Sequence, residues 1–309
     1  MGLVYHNGRF IPEEHIEKAN SQDATLHLLR SFLDTNEPGL VRFLVNTWRS
    51  QGQAITYKEL REAILRGNID PEWLEDWMKD YSKLVKDAML PAWEKAIEAG
   101  FAAKAKEFPG FYFKPMADSV RNWTATHAAE FVTNVSTTQI EGIRAVVQRA
   151  ASLEDLSVDE LARVIRPMIG LTKQDAAVNL RYFEKLRANG VYPKRARDMA
   201  LRDAARRHRS RAYTIARTEL ATSYNTGAHQ ATKEAQERGY LGHMVKVWST
   251  ADDERVCRIC GPLEGKEAEM DDEFQGIGKT WSTRLHPPAH PGCRCAVLYV
   301  EKEPPEKNV

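Results

Sequence analysis

Apolar residues recur every three or four positions through most of the first two-thirds of the chain, the spacing of one helix face. In "PEWLEDWMKDYSKLVKDAMLPAWEKAIEAGFAAKAKEF" (71–108), Trp73, Trp77, Tyr81, Leu84 and Val85 fall on one side, and Pro91 predicts a kink or restart. "TTQIEGIRAVVQRAA" (137–151) repeats the pattern with Ile140, Ile143, Val146 and Val147. Ser157 followed by Glu160 reads as a capping box opening the helix 157–170, with Gly170 at its end. A similar start at Thr172 and stop at Gly190 bound the next helix. After a small-residue helix (218–240) closing at Gly239, the period changes. "HMVKVWST" (243–250) and "CAVLYV" (295–300) read as strands.

The predicted fold class is a mainly α N-terminal body with a smaller α+β C-terminal module carrying a zinc-knuckle-like clip. The expected segments are a helical region 1–160, a module 161–300 and a disordered tail 301–309. No stretch approaches the ~20 apolar residues of a membrane span. The first residues lack the basic flank and apolar core of a secretory signal, and His6 breaks the myristoylation pattern. A cytoplasmic site of synthesis is expected, where thiols stay reduced.

The net charge is +1, so electrostatic arguments must be local. One segment is strongly biased. Residues 194–217 hold Lys194 and eight arginines against Asp198 and Asp203. A solvated helix face is one reading. The other is contact with nucleic acid or an acidic protein through Lys194, Arg195, Arg197, Arg202, Arg206, Arg207, Arg209 and Arg211.

All four cysteines lie in two short segments, "VCRICG" (256–261) and "HPPAHPGCRC" (286–295). Cys257 and Cys260 have knuckle spacing, and Gly261 is expected to accept unusual backbone angles there. His290, Cys293 and Cys295 offer three more donors. Zinc takes four ligands in a tetrahedron, so four of these five are expected to bind a structural Zn²⁺, with His286 a weaker candidate. Reduced thiols and disulfides are the alternatives. A catalytic metal is disfavoured because a thiolate-rich shell closes the open position and weakens the Lewis acid. The intervening loop 262–285 has little core of its own, so the metal would supply its stability.

"IARTELATSYNTGAHQA", "KVWSTADDERVCRICGPLEGK" and "PPAHPGCRC" together resemble the C-terminal domain of the phage head morphogenesis family, the Mu-type minor head proteins. The likeness rests on Arg217, Thr218, Glu219, Asn225, Trp248, Thr250, Asp253, Cys257, Cys260, His290, Cys293, Arg294 and Cys295, and covers about 165–300. "GLTKQDAAVNLRYFEKL" (170–186) fits the helix that precedes the domain in that family.

The resemblance implies a minor capsid protein of a tailed phage head, assembled in the bacterial cytoplasm and carried inside the virion. It implies a portal partner, with major capsid or scaffolding protein and double-stranded DNA as further candidates, no membrane, and a structural rather than enzymatic role. The alternative is a metal-dependent nuclease or transferase using Arg217, Glu219 and Asn225. At 100° per residue Arg217 and Glu219 lie ~160° apart and Arg217 and Asn225 ~80° apart, so the three do not converge on a straight helix. Arg217 and Glu219 are instead expected to lock the helix to different neighbours. Asp252 and Asp253 could bind a cation or form a turn.

Overall fold

The computed structural model describes residues 3–6, 9–105, 117–153, 155–250, 256–275 and 285–303, with only the backbone described for Leu3–His6, 9–23, Leu74, Ala105 and 117–120. Asp252, Asp253 and the tail from 304 lie outside the described residues.

Among the described residues a hairpin of β1 (Leu3–His6) and β2 (Arg9–Pro12) precedes eight α-helices: α1 (Glu13–Ala54), α2 (Tyr57–Arg66), α3 (Pro71–Leu84), α4 (Leu90–Ala105), α5 (Ala117–Ala151), α6 (Val158–Ile165), α7 (Lys173–Ala188) and α8 (Pro193–Glu237). Strands β3 (His243–Ser249), β4 (Glu267–Glu269) and β5 (Ala296–Lys302) form an antiparallel sheet in the order β4-β3-β5. A helical body with a small C-terminal sheet is therefore what the chain adopts.

Local chemistry sets several boundaries. Ser157 Oγ accepts from the Glu160 amide, but the Glu160 carboxylate goes to Arg187 at 2.8 Å, so only half of the expected capping box forms. Thr172 accepts from the Asp175 amide in the same way. The reciprocal box forms instead at Thr56 and Glu59. Gly190 and Gly239 follow α7 and α8 with φ of +77° and +74°, conformations in which glycine carries no Cβ penalty. Pro91 breaks nothing outright. A π-turn, Val85–Met89, joins α3 to α4, and the Leu90 amide bonds the Val85 carbonyl, which absorbs the register that the proline disturbs. The basic run 194–217 and the helix expected at 218–240 lie in one helix, α8, because no breaker separates them.

Contacts divide the chain into two units. One comprises 1–37, 92–120 and 215–309; the other comprises 38–91 and 121–214. Helices α1, α4, α5 and α8 contribute residues to both.

The second unit is organised around Trp48, which is 1% exposed. Its indole donates to Tyr81 Oη at 2.9 Å, Tyr81 donates to Gln139, and Gln139 donates to Gln51 at 3.0 Å. A Cβ on Gly170 (φ +94°) would strike the Trp48 ring. Arg211 caps that ring at 5.0 Å and donates to the Gly170 carbonyl.

In the first unit α4 and α8 cross at glycines. A Cβ on Gly100 would meet the Tyr224 carbonyl, and one on Gly227 would meet the Ile97 carbonyl. This is the close packing that small residues in 218–240 permit. Both faces of β3 are covered. Val245 and Val247 pack with Leu298, while Met244 and Trp248 join the core that contains the cysteines. Lys246 shares the inner face of β3 and is 0% exposed, its ammonium donating to the carbonyls of Asp272 (2.5 Å) and Leu285 (2.9 Å).

Candidate metal centre

Each half of the cysteine constellation is shaped by its own backbone. In the first half the Cys260 amide points at Cys257 Sγ (3.3 Å) and Gly261 N–H returns to the Cys257 carbonyl (2.9 Å). Gly261 opens a short 3₁₀ turn, Gly261–Leu263, and is not among the glycines with positive φ. The expectation that it supplies unusual angles is therefore wrong: a Cβ there would meet only Val256, at 3.8 Å.

In the second half, His290-Pro291-Gly292-Cys293 makes a tight turn. Cys293 N–H bonds the His290 carbonyl at 3.1 Å, and Gly292 takes φ +74°. Proline then glycine at the two central positions suits a turn that needs positive φ at the second. The turn sets His290 and Cys293 side by side. Thr218 on α8 anchors it, accepting from the Gly292 amide at 3.0 Å.

The donors converge. His290 Nε2 lies 3.0 Å from Cys257 Sγ and 3.3 Å from Cys260 Sγ, and Cys260 and Cys293 sulfurs are 3.7 Å apart. Ligands of a tetrahedral zinc stand ~3.8 Å apart for two sulfurs and ~3.5 Å for sulfur and nitrogen, given the usual bond lengths. Two triads, Cys257–Cys260–His290 and Cys260–Cys293–Cys295, share Cys260, and the group lines a hollow of about 50 Å³. All four cysteines are free thiols. The set could hold a metal ion.

The electrostatics point the same way. Hydrogen bonding to Cys293 raises the His290 pKa to about 9. Burial works against the Cys257 thiolate, but amides of Cys260 and Ile259 hold its pKa below the ordinary value. Bonds from Cys260 and Cys295 push the Cys293 pKa down, whereas the Cys260 thiol, bonded to Cys293 and Cys295, is pushed up. Four sulfurs so close cannot all be thiolates without a cation among them.

Outer contacts orient the donors. His290 Nδ1 donates to the Pro291 carbonyl at 3.0 Å, a contact that turns Nε2 toward the Cys257 and Cys260 sulfurs. His286 is engaged elsewhere, with Thr226 Oγ1 at 3.2 Å and the Pro287 carbonyl at 2.8 Å. Trp248 is fully buried and meets Phe274 edge-on at 5.1 Å, and although a bond with Cys260 favours the Cys295 thiolate, the bond with Cys293 and burial push the Cys295 pKa up. The loop expected to lack a core contributes Leu263, Met270 and Phe274 to the cluster around the cysteines.

Residues 157–298 match the family model described as Phage Mu protein F like protein. No curated protein and no solved structure matches the chain. The Mu F-like segment is a little under half of the chain and coincides closely with the stretch that resembles phage head morphogenesis proteins. It contains all five donors.

Three other motif residues of the Mu F-like segment hold the fold. Arg217 Nε bonds Glu37 at 2.5 Å and its Nη2 lies 3.5 Å from Asp34. Glu219 accepts from the Trp93 indole at 3.1 Å, and Asn225 donates to the Ala221 carbonyl at 2.8 Å. The three side chains find separate partners.

The basic run divides. Arg207 is bound between Asp203 (2.6 Å) and Asp175 (2.8 Å), Arg206 pairs with Asp203 (2.5 Å), and Arg211 is buried. Lys194, Arg195, Arg202 and Arg209 are exposed, and Arg197 is half-buried. Pairing with Asp175, from another helix, could not be read from the run itself. Among the described residues no helix is long and apolar enough to cross a membrane.

Proposed function

We propose that this chain is a structural protein of a tailed-phage head, with a zinc clip that fixes the C-terminal module. The observation that carries the reading is the coincidence of a thiolate-rich, closed donor set with the segment that matches the Mu F-like family model. The ligands are Cys257, Cys260, His290 and Cys293. The His290 imidazole is in contact with the Cys257 and Cys260 sulfurs and the Cys293 sulfur stands 3.7 Å from that of Cys260, whereas Cys295 lies toward Cys260, Cys293 and Trp248 and backs the shell. Zinc suits two to three thiolates with one imidazole better than the oxygen-seeking cations.

A closed shell argues for a structural ion, and the separate partners of Arg217, Glu219 and Asn225 argue against a shared catalytic centre. The role follows as assembly: the chain associates with other head proteins, the portal foremost, and travels within the virion. Exposed Lys194, Arg195 and Arg202 provide a cationic face for DNA or an acidic protein. The test is sedimentation of particles from infected cells. The chain should travel with portal-containing heads and carry zinc; its appearance only in the soluble fraction would overturn the assignment.

A further inference from the structure

The second unit carries a groove that the metal centre does not explain. Its first part is a hollow of about 300 Å³ bordered by the end of α1, the turn at 166–169 and α8. Val45, Ile169, Leu201 and Ala205 give it apolar walls. A second hollow of about 410 Å³ shares Pro167 and Leu201 with the first and adds Tyr57. Leu201 is 49% exposed and Tyr57 47%, a pair of large apolar groups left to solvent along one path.

The borders of this path are cationic. Arg49 and Arg209 flank the first hollow; Arg163 and Arg197 flank the second, with Asp198 the sole carboxylate lining either. None of these four arginines has an ion-pair partner among the described residues. Arg166 is already used: its Nε and Nη2 donate to the carbonyls of Gly52 and Gln53, both at 2.7 Å, at the negative end of α1. At the back of the first hollow His208 is 8% exposed, sits edge-on to Trp48 at 5.5 Å, and leaves Nε2 without a hydrogen-bond partner. Burial, with Arg211 nearby, lowers its pKa to about 4, so it is a neutral polar group there.

Unpaired guanidiniums along an apolar trough call for a ligand with carboxylates and at least one apolar side chain. We propose that this groove docks an acidic peptide segment of another protein, its carboxylates meeting Arg49, Arg209, Arg163 and Arg197 and an apolar side chain seated on Leu201. Duplex DNA fits less well, because phosphates gain nothing from Leu201 and Tyr57 and hollows of this volume admit side chains rather than a duplex. The proposal stands on the second unit alone and does not depend on the metal.

The test uses the full chain and a fluorescein-labelled twelve-residue peptide of repeated Glu-Leu-Asp, followed by anisotropy. Comparison probes are the isosteric Gln-Leu-Asn peptide, a Glu-Gly-Asp peptide and a short duplex DNA. The Glu-Leu-Asp peptide should bind best. The double variant R49Q/R209Q and, separately, L201D should each weaken it at least about tenfold. The variant Arg181→Gln/Lys185→Gln, exposed on α7 and outside the groove, should leave it unchanged. These side chains are exposed, and circular dichroism checks that the variants remain folded. No binding by the peptide would overturn the proposal. Equal loss in the Arg181/Lys185 variant would reduce the effect to bulk charge and overturn it too. Tighter binding of the duplex, lost in R49Q/R209Q, would reassign the groove to nucleic acid.

Discussion

Glycines in helices give a test in which two opposing effects have different magnitudes. Replacing a helix-interior glycine by alanine favours the helix by about 1 kcal/mol when nothing else changes. Gly39 in α1 is exposed, with nothing within 4 Å of an added Cβ, so Gly39→Ala should stabilise the protein by roughly 0.5–1 kcal/mol. Gly227 in α8 is the opposite case. Its added Cβ would overlap the Ile97 carbonyl oxygen and come within 2.8 Å of the Ile97 carbonyl carbon and Cα. These atoms belong to the α4 backbone and cannot rotate away as a side-chain tip would. Overpacking costs about 1–3 kcal/mol, and a rigid neighbour puts this site near 3. Subtracting the propensity gain leaves Gly227→Ala about 2 kcal/mol less stable. For a unit of this size that lowers the melting temperature by about 4–8 °C. Thermal and urea unfolding of both variants measure it. A Gly227→Ala protein as stable as the parent would refute the close α4–α8 crossing.

Three further outcomes follow from the geometry. Arg217→Ala leaves Glu37, 3% exposed, without its guanidinium, and should cost about 3–5 kcal/mol in urea unfolding, partly recovered by adding Glu37→Gln; a loss under 1 kcal/mol would contradict the anchoring role. His208 has its pKa lowered from 6.5 to about 4, so the unfolded chain protonates first and stability falls as pH drops from 6.5 toward 4, by about 1.4 kcal/mol per unit, and this fall should be shallower in His208→Gln by pH-dependent unfolding. Lys246→Met removes the donor shared by the Asp272 and Leu285 carbonyls; hydrogen exchange should speed up in residues 270–275 and 285, and unchanged protection would show that the lysine does not pin that loop.

Features encoded over short distances were legible in the sequence. The face of α3 that buries Trp77, Tyr81 and Leu84 follows from spacing alone, as do the caps at Ser157 and Thr172. That the two cysteine segments come together was legible because cysteine is concentrated in them. Features decided by distant partners were not. The basic run looked unpaired until Asp175 and the Gly170 carbonyl came beside it. Lys246 breaks the apolar alternation of β3, and only the carbonyls of residues 272 and 285 explain its burial. Strand β4, three half-exposed or exposed residues, has no pattern to detect. The two-unit division was hidden because four helices carry the chain through both units.

The account turns on whether a cation holds Cys257, Cys260, His290 and Cys293 together. Mass spectrometry of the intact protein, purified under reducing conditions in zinc-containing medium and sprayed under native conditions, measures it directly. One Zn²⁺ per chain is expected, kept in Cys295→Ala and lost in Cys260→Ala. Reduced, folded protein that carries no metal, or that loses it equally with either substitution, would contradict the assignment.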